Sequence, residues 1–209
     1  MLRSVAWGAA TAILIAVPAA GQTTSPPGPW VLDARGVTSA VPTDATFYPT
    51  LTSTVVPSRG FGADVGGHVY LFNVGPARVG LGASVMFVRA TTTAPANAQD
   101  GAAPTDGQRL MMTMRVIAPQ ISFNFGSRDG WSYLSAGLGI GSVNTEATEA
   151  SPGTQESGLR RSVNFGGGAR WFIKPRVAFS VDLRAHRMAG GDVTPRVSVF
   201  AVSAGMSIR

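Results

Sequence analysis

Beyond Pro29 the sequence settles into a period of two. In residues 177–187 one face carries Val177, Phe179, Val181, Leu183 and Ala185, and the other carries Ala178, Ser180, Asp182, Arg184 and His186. Near the end, Phe200, Val202, Ala204, Met206 and Ile208 alternate with Ala201, Ser203, Gly205 and Ser207. Successive side chains of a strand point to opposite faces, so each stretch reads as a ribbon with one apolar and one polar side. The pattern predicts eight strands: Trp30–Thr38, Phe61–Val74, Val79–Thr91, Arg109–Gly126, Trp131–Thr145, Leu159–Ile173, Val177–Arg187 and Val197–Arg209.

The connections sharpen the prediction. Gly75–Arg78, Ser127–Gly130 and Lys174–Arg176 are short, whereas Ser39–Gly60, Thr92–Gln108 and Glu146–Gly158 are long, and Met188–Arg196 is intermediate. Short turns at one end and longer loops at the other are the habit of transmembrane barrels. Asp100-Gly101 and Asp106-Gly107 in the second long loop read as turns. The expected fold is all-β, a single eight-stranded antiparallel up-and-down transmembrane β-barrel over residues 30–209. The polar faces are rich in Gly and Ser, which suits a narrow interior filled by small or paired groups.

The start of the chain is different. Arg3, the apolar run Val5–Val17 and the small residues Ala19 and Gly21 read as a secretory signal over residues 1–21. That run is shorter than the ~20 residues a spanning helix needs, and no later segment is longer. Gln22–Pro29 reads as a periplasmic tail. The expected destination is the bacterial outer membrane, reached by signal-dependent export, with both barrel ends in the periplasm.

Composition excludes several chemistries. With Cys 0 there is no disulfide framework, thiolate site or cysteine nucleophile, and His68 and His186 are the only histidines. Charged residues make up 13% of the chain, about half the share of soluble domains. The net charge of +6 is carried almost wholly by scattered arginines, so no basic patch points to nucleic acid. Gly166-Gly167-Gly168 lies within a strand, where it allows close packing and is no phosphate loop.

Two local features carry expectations of their own. Met112, Met114 and Val116 fall on even positions and Ile117, Ile121, Phe123 and Phe125 on odd ones, which predicts a bulge near Val116–Ala118. Trp30, Trp131 and Trp171 all fall beside short turns, which predicts an aromatic girdle at the membrane interface.

The runs Ala118-Pro119-Gln120-Ile121-Ser122-Phe123-Asn124-Phe125-Gly126 and Gly130-Trp131-Ser132-Tyr133-Leu134-Ser135-Ala136-Gly137-Leu138-Gly139 resemble small outer-membrane barrels related to the membrane domain of outer membrane protein A. The resemblance covers most of residues 30–209 and implies architecture more than activity. It also implies an aromatic ending, where this chain has Ile208-Arg209.

By the alternation, Asp33, Arg35, Asp64, His68, Arg170, Asp182, Arg184 and His186 point into the lumen, with Arg115 a further candidate. Charges in a narrow interior must pair, since an isolated one costs several kcal/mol, so these form an expected lumen charge network. Some barrels that resemble this one modify lipid A, but no Ser–His–acid constellation lies on the apolar face. The residues thus suggest a protein that is not an enzyme, with no cofactor and no metal site. Its expected role is structural or a surface interaction, its expected partners are outer-membrane lipid and the barrel-assembly machinery, and the loops name no ligand. The alternatives are a narrow pore or carrier for small solutes and a soluble periplasmic lipocalin-like barrel, the latter with the two faces exchanged.

Overall fold

A computed structural model describes residues 28–48, 55–93, 109–127, 129–148, 152–191 and 194–209. The secretory signal, most of the tail and the turns at Asp100-Gly101 and Asp106-Gly107 lie outside the described residues. The strands are β1 (Trp30–Ala40), β2 (Arg59–Val74), β3 (Ala77–Thr93), β4 (Arg109–Ser127), β5 (Gly130–Thr148), a short β6 (Gly153–Glu156), β7 (Arg160–Lys174), β8 (Val177–Met188) and β9 (Val197–Ile208). Each long strand pairs antiparallel with the next, β5 pairs with β7, and β9 returns to β1. The sheet therefore closes as an eight-stranded barrel with no free edge. β6 pairs only with the far end of β5, from Asn144 to Ala147, and extends that hairpin beyond the barrel.

The short turns follow from local chemistry. Val74 pairs with Ala77 across Gly75-Pro76, and Gly75 has φ 56°. Positive φ at the first central residue is what a primed hairpin turn requires, and glycine adopts it without a Cβ clash. Register shifts occur at Tyr70/Phe72 and at Phe172/Lys174, both just before such turns.

The bulge expected in β4 is absent. Its pairing with β3 runs in one register from Arg78↔Asn124 to Thr93↔Arg109. The β4–β5 register is the same on both sides of Ala118-Pro119, where the ladder merely skips two residues. Proline lacks the N–H that the ladder needs, so pairing lapses there without a change of phase. Met112, Met114 and Val116 simply face inward, as does Ala118. Phase continuity also turns Arg115 outward, against expectation; it is exposed, with its guanidinium carbon 5.8 Å from the Phe87 ring centroid.

The outer face is apolar. Leu32, Phe61, Val65, Leu81, Ile117, Leu134, Leu138, Phe165, Leu183 and Phe200 are all exposed. The aspartates expected in the lumen are buried. Trp30 and Trp171 stand on the outer face, but Trp131 does not; it is 2% exposed and points inward. Its parity is that of Tyr133 and Ser135, which are also buried, and this overrides the rim preference of indole.

Candidate functional site: the lumen

The inward side chains form three levels. At the short-turn end, Val31, Tyr70 and Trp131 make an apolar floor with the partly buried Phe172 packed on it. Trp131 meets Phe172 at 4.9 Å and Tyr70 edge-on at 6.1 Å between ring centroids. The Arg209 guanidinium carbon lies 3.8 Å from the centroid of Phe172, and its Nε donates to the Pro175 carbonyl at 2.9 Å.

Above the floor lies the charged level. Asp33 accepts from Arg170 Nε at 2.9 Å and from Arg170 Nη2 at 2.6 Å, a bidentate pair, and Ser207 Oγ also donates to it. Arg35 Nη2 lies 2.9 Å from the same carboxylate. Arg35 also reaches Asp64 at 3.0 Å, Ser180 at 3.2 Å and the Tyr133 hydroxyl at 3.1 Å. Tyr133 in turn donates to Asp182 at 2.7 Å. Arg184 holds both oxygens of Asp182, at 3.1 and 2.8 Å, and donates to Asn164 and Ser135 at 2.8 Å each. Asn164 Oδ1 also accepts from Gln120 Nε2, which donates to Ser84 as well.

Six of the residues expected in the network are thus joined: Asp33, Arg35, Asp64, Arg170, Asp182 and Arg184. The three arginines balance three aspartates, and Arg35 is shared between Asp33 and Asp64. His68 and His186 are also buried in the lumen, but neither ring nitrogen has a hydrogen-bond partner among the described residues. A Cβ on Gly82 would stand 2.6 Å from the His68 ring, so the glycine makes room for the imidazole to lie against β3. Gly168 does the same for the Tyr133 hydroxyl. Sequence reasoning had Ser180 and Ser207 on the polar faces without placing them in the network, and it missed Tyr133, Asn164, Gln120 and Ser135. Parity alone would have turned them inward; attention to charge passed them over.

The third level, at the long-loop end, is apolar. Val37, Met86, Val88, Leu110, Met112, Met114, Val116, Val143, Met188, Val197 and Val199 form one buried cluster. The loop after β1 descends onto it. Asp44 caps a short helical turn, Ala45–Phe47, and this delivers Phe47 and Tyr48 into the mouth. The Tyr48 hydroxyl donates to the Pro42 carbonyl at 2.9 Å and stands 3.9 Å from Met112 Sδ. Burial pushes its phenol far above the ordinary range, so it stays neutral. Thr145 donates to the Phe47 carbonyl and Gln155 to the Thr46 carbonyl at 3.1 Å, so β5 and β6 clasp the turn.

The described residues include no group of three or more His, Asp or Glu arranged for a metal ion. What the described residues of the lumen offer instead is three filled levels: rings, ion pairs, and a methionine-rich packing capped by Tyr48.

No family model matches the chain, and no curated protein matches its sequence. Solved structures share its fold. Neisserial surface protein A is 14% identical, with 87% of this chain and 97% of that one covered and a TM-score of 0.53. Ail of Yersinia pestis, in complex with the heparin analogue sucrose octasulfate, is 14% identical, with 86% and 97% covered and a TM-score of 0.52. The chain has the fold of small outer-membrane β-barrels. The expectation that it is not an enzyme is overturned by the same comparisons. They include the outer membrane protease OmpT of Escherichia coli, at 10% identity with 86% of this chain and 94% of that one covered. They also include the outer membrane enzyme PagL, at 16% identity with 86% and 99% covered, and the TM-score is 0.44 in both cases. Outer-membrane enzymes stand among the compared structures, and the expectation is not retained. Likeness at that distance assigns this chain no reaction either.

Proposed function

We propose that the protein is an integral outer-membrane barrel whose lumen is closed to solutes and whose long loops face the cell exterior. Residues 1–21 direct export, and the short turns lie in the periplasm. In this reading its role is structural, or a surface interaction made by the loops that the closed barrel holds rigid. Its partners are the surrounding lipid and, during biogenesis, the barrel-assembly machinery.

The polarity of the two faces carries the reading. Leu183 is 50% exposed while its neighbours Asp182 and Arg184 are buried. A soluble ligand-binding barrel needs the reverse, because water would meet a continuous apolar sheath. A pore needs a wet path, and the three packed levels oppose one.

Fractionation with a urea wash tests insertion: the protein should stay with the outer membrane, and its release would overturn the reading. Recording in planar bilayers with the loops intact tests closure. Little or no conductance is expected, and a steady open level would restore the pore.

A further inference from the structure

The positive charge of this protein lies outside its lumen. The four ion pairs among the described residues are all internal, where three arginines meet three aspartates. On the outer face five arginines, Arg59, Arg89, Arg115, Arg161 and Arg187, are exposed and in phase with the apolar sheath.

Register gives their heights. Partners traced from Trp30 run through Val69, Leu81, Ile121, Ala136, Phe165 and Ala185 to Phe200. Phe200 lies one residue past the Ser39↔Ala201 pair and so returns to β1 beside Ala40. One circuit therefore climbs about ten residues, or a little over one per strand, and a level line must step back by that much at each strand.

The arginines make those steps. Arg89 pairs with Phe61, two residues below Arg59, and Arg115 pairs with Phe87, two below Arg89. Arg115 pairs with Ser142, and Arg161 pairs with Ile140, two residues below Ser142 on β5. Arg187 pairs with Val163, two below Arg161. The five thus stay within about two residues, on the order of 5 Å, of one height around most of the barrel.

Beneath them the surface turns apolar at once. Phe61, Phe87, Ile140 and Val163, directly across from Arg89, Arg115, Arg161 and Arg187, are all exposed. From Arg115 down to Phe125 the outward face of β4 spans about 25 Å, the height of a barrel's apolar band. The belt therefore marks the long-loop boundary of the hydrocarbon. Among the described residues the carboxylates nearest the belt, Glu156 opposite Asn144 and Glu146 opposite Met111, both lie above it.

We propose that this arginine belt seats multiply anionic lipid headgroups, the phosphates of glycolipids in the external leaflet, with the acyl chains lying on the apolar band below. Guanidinium suits phosphate through its planar fork of donors, and a headgroup bridging Arg59, Arg89 and Arg115 would relieve repulsion between neighbouring cations. The proposal rests on the outer-membrane reading above.

The test uses the folded, full-loop barrel in neutral detergent and counts retained lipid by native mass spectrometry. The probes are bis-phosphorylated lipid A and its phosphate-free form, with heparin as a soluble polyanion. The wild type should retain the phosphorylated lipid roughly tenfold better than the phosphate-free one, and less so at high salt. The combined Arg59→Gln, Arg89→Gln, Arg115→Gln variant should lose that preference, and the matching lysine variant should keep most of it. Heat-modified gel mobility verifies folding; should the triple variant misfold, Arg89→Gln alone should weaken retention about threefold. Full retention by the glutamine variant, equal retention of both lipids, or an effect on heparin alone would overturn the proposal. Failure to insert sinks the membrane reading instead, whereas an inserted barrel indifferent to phosphate sinks only this one.

Discussion

The middle and the upper parts of the lumen solve one packing problem in opposite ways. In the middle, Asp33, Arg35, Asp64, Arg170, Asp182 and Arg184 fill the bore with ion pairs fixed by Tyr133 and Asn164. Above them Met86, Leu110, Met112 and Met114 fill it as a protein core would, and the loop residues Phe47 and Tyr48 close the top. The charged level depends on strict pairing, because every buried ion needs its counter-ion. The methionine level depends on volume, because unbranched thioethers fit an irregular space without directional bonds. A narrow bore can thus be filled by directional pairing or by close packing, and this one uses both in series.

Breaking a pair should cost most. Arg170→Met leaves Asp33 with Arg35 as its remaining cation, and we expect a loss of about 3–5 kcal/mol in urea unfolding of the refolded barrel. An unchanged midpoint would mean that water, and not the pair, solvates Asp33. Removing volume should cost less. Met114→Ala should lose about 2–3 kcal/mol through the cavity it opens. Replacing both partners in the middle sharpens the contrast: Asp182→Leu with Arg184→Leu should cost clearly less than Arg184→Leu alone, since no ion is left unpaired. At the lid, Tyr48→Phe removes the hydrogen bond to Pro42 and should cost about 1 kcal/mol.

The smallest effect is a titration. Asp44 accepts from the Thr46 amide at 2.9 Å and its hydroxyl at 2.8 Å, and these bonds hold its carboxyl below the ordinary value of 3.8. A lowered carboxyl stabilises the turn above the ordinary range, and that support is lost as pH falls through the folded value. The Thr46 amide resonance should therefore titrate below pH 3.8. A midpoint above that value would show the cap unformed in solution.

The sequence revealed the frame of the barrel more readily than its filling. All eight long strands were legible because alternation and turn residues agree, as Val177–Arg187 and its Lys174–Arg176 turn illustrate. Fold and polarity followed from the same alternation. The upper lumen was not legible, because a polar interior was assumed along the full length of every strand. On that assumption inward Met112 and Met114 demand a bulge, whereas Trp131 is drawn to the rim by its place beside a short turn. Alternation separates faces only where they differ in polarity; where both are apolar, as in β4 above Ala118, parity carried over from a neighbouring stretch is the surer guide. The Asn, Gln and Ser partners of the ions were missed because neutral polar groups leave little trace in a charge pattern. The arginine belt was invisible for another reason: levelness around a barrel depends on shear, which only pairing reveals.

The ladder between β1 and β9, running from Leu32 to Ser39, is shorter than the one between β3 and β4, from Arg78 to Thr93. Every other ladder joins strands close in sequence, so this one is the seam that must wait for the chain's two ends to meet. Until it zips, two edges stand open to any strand that passes; afterwards the cylinder offers none. Sealing that seam is the step that turns an open sheet into a cylinder, and the seam is where prying the molecule apart would begin.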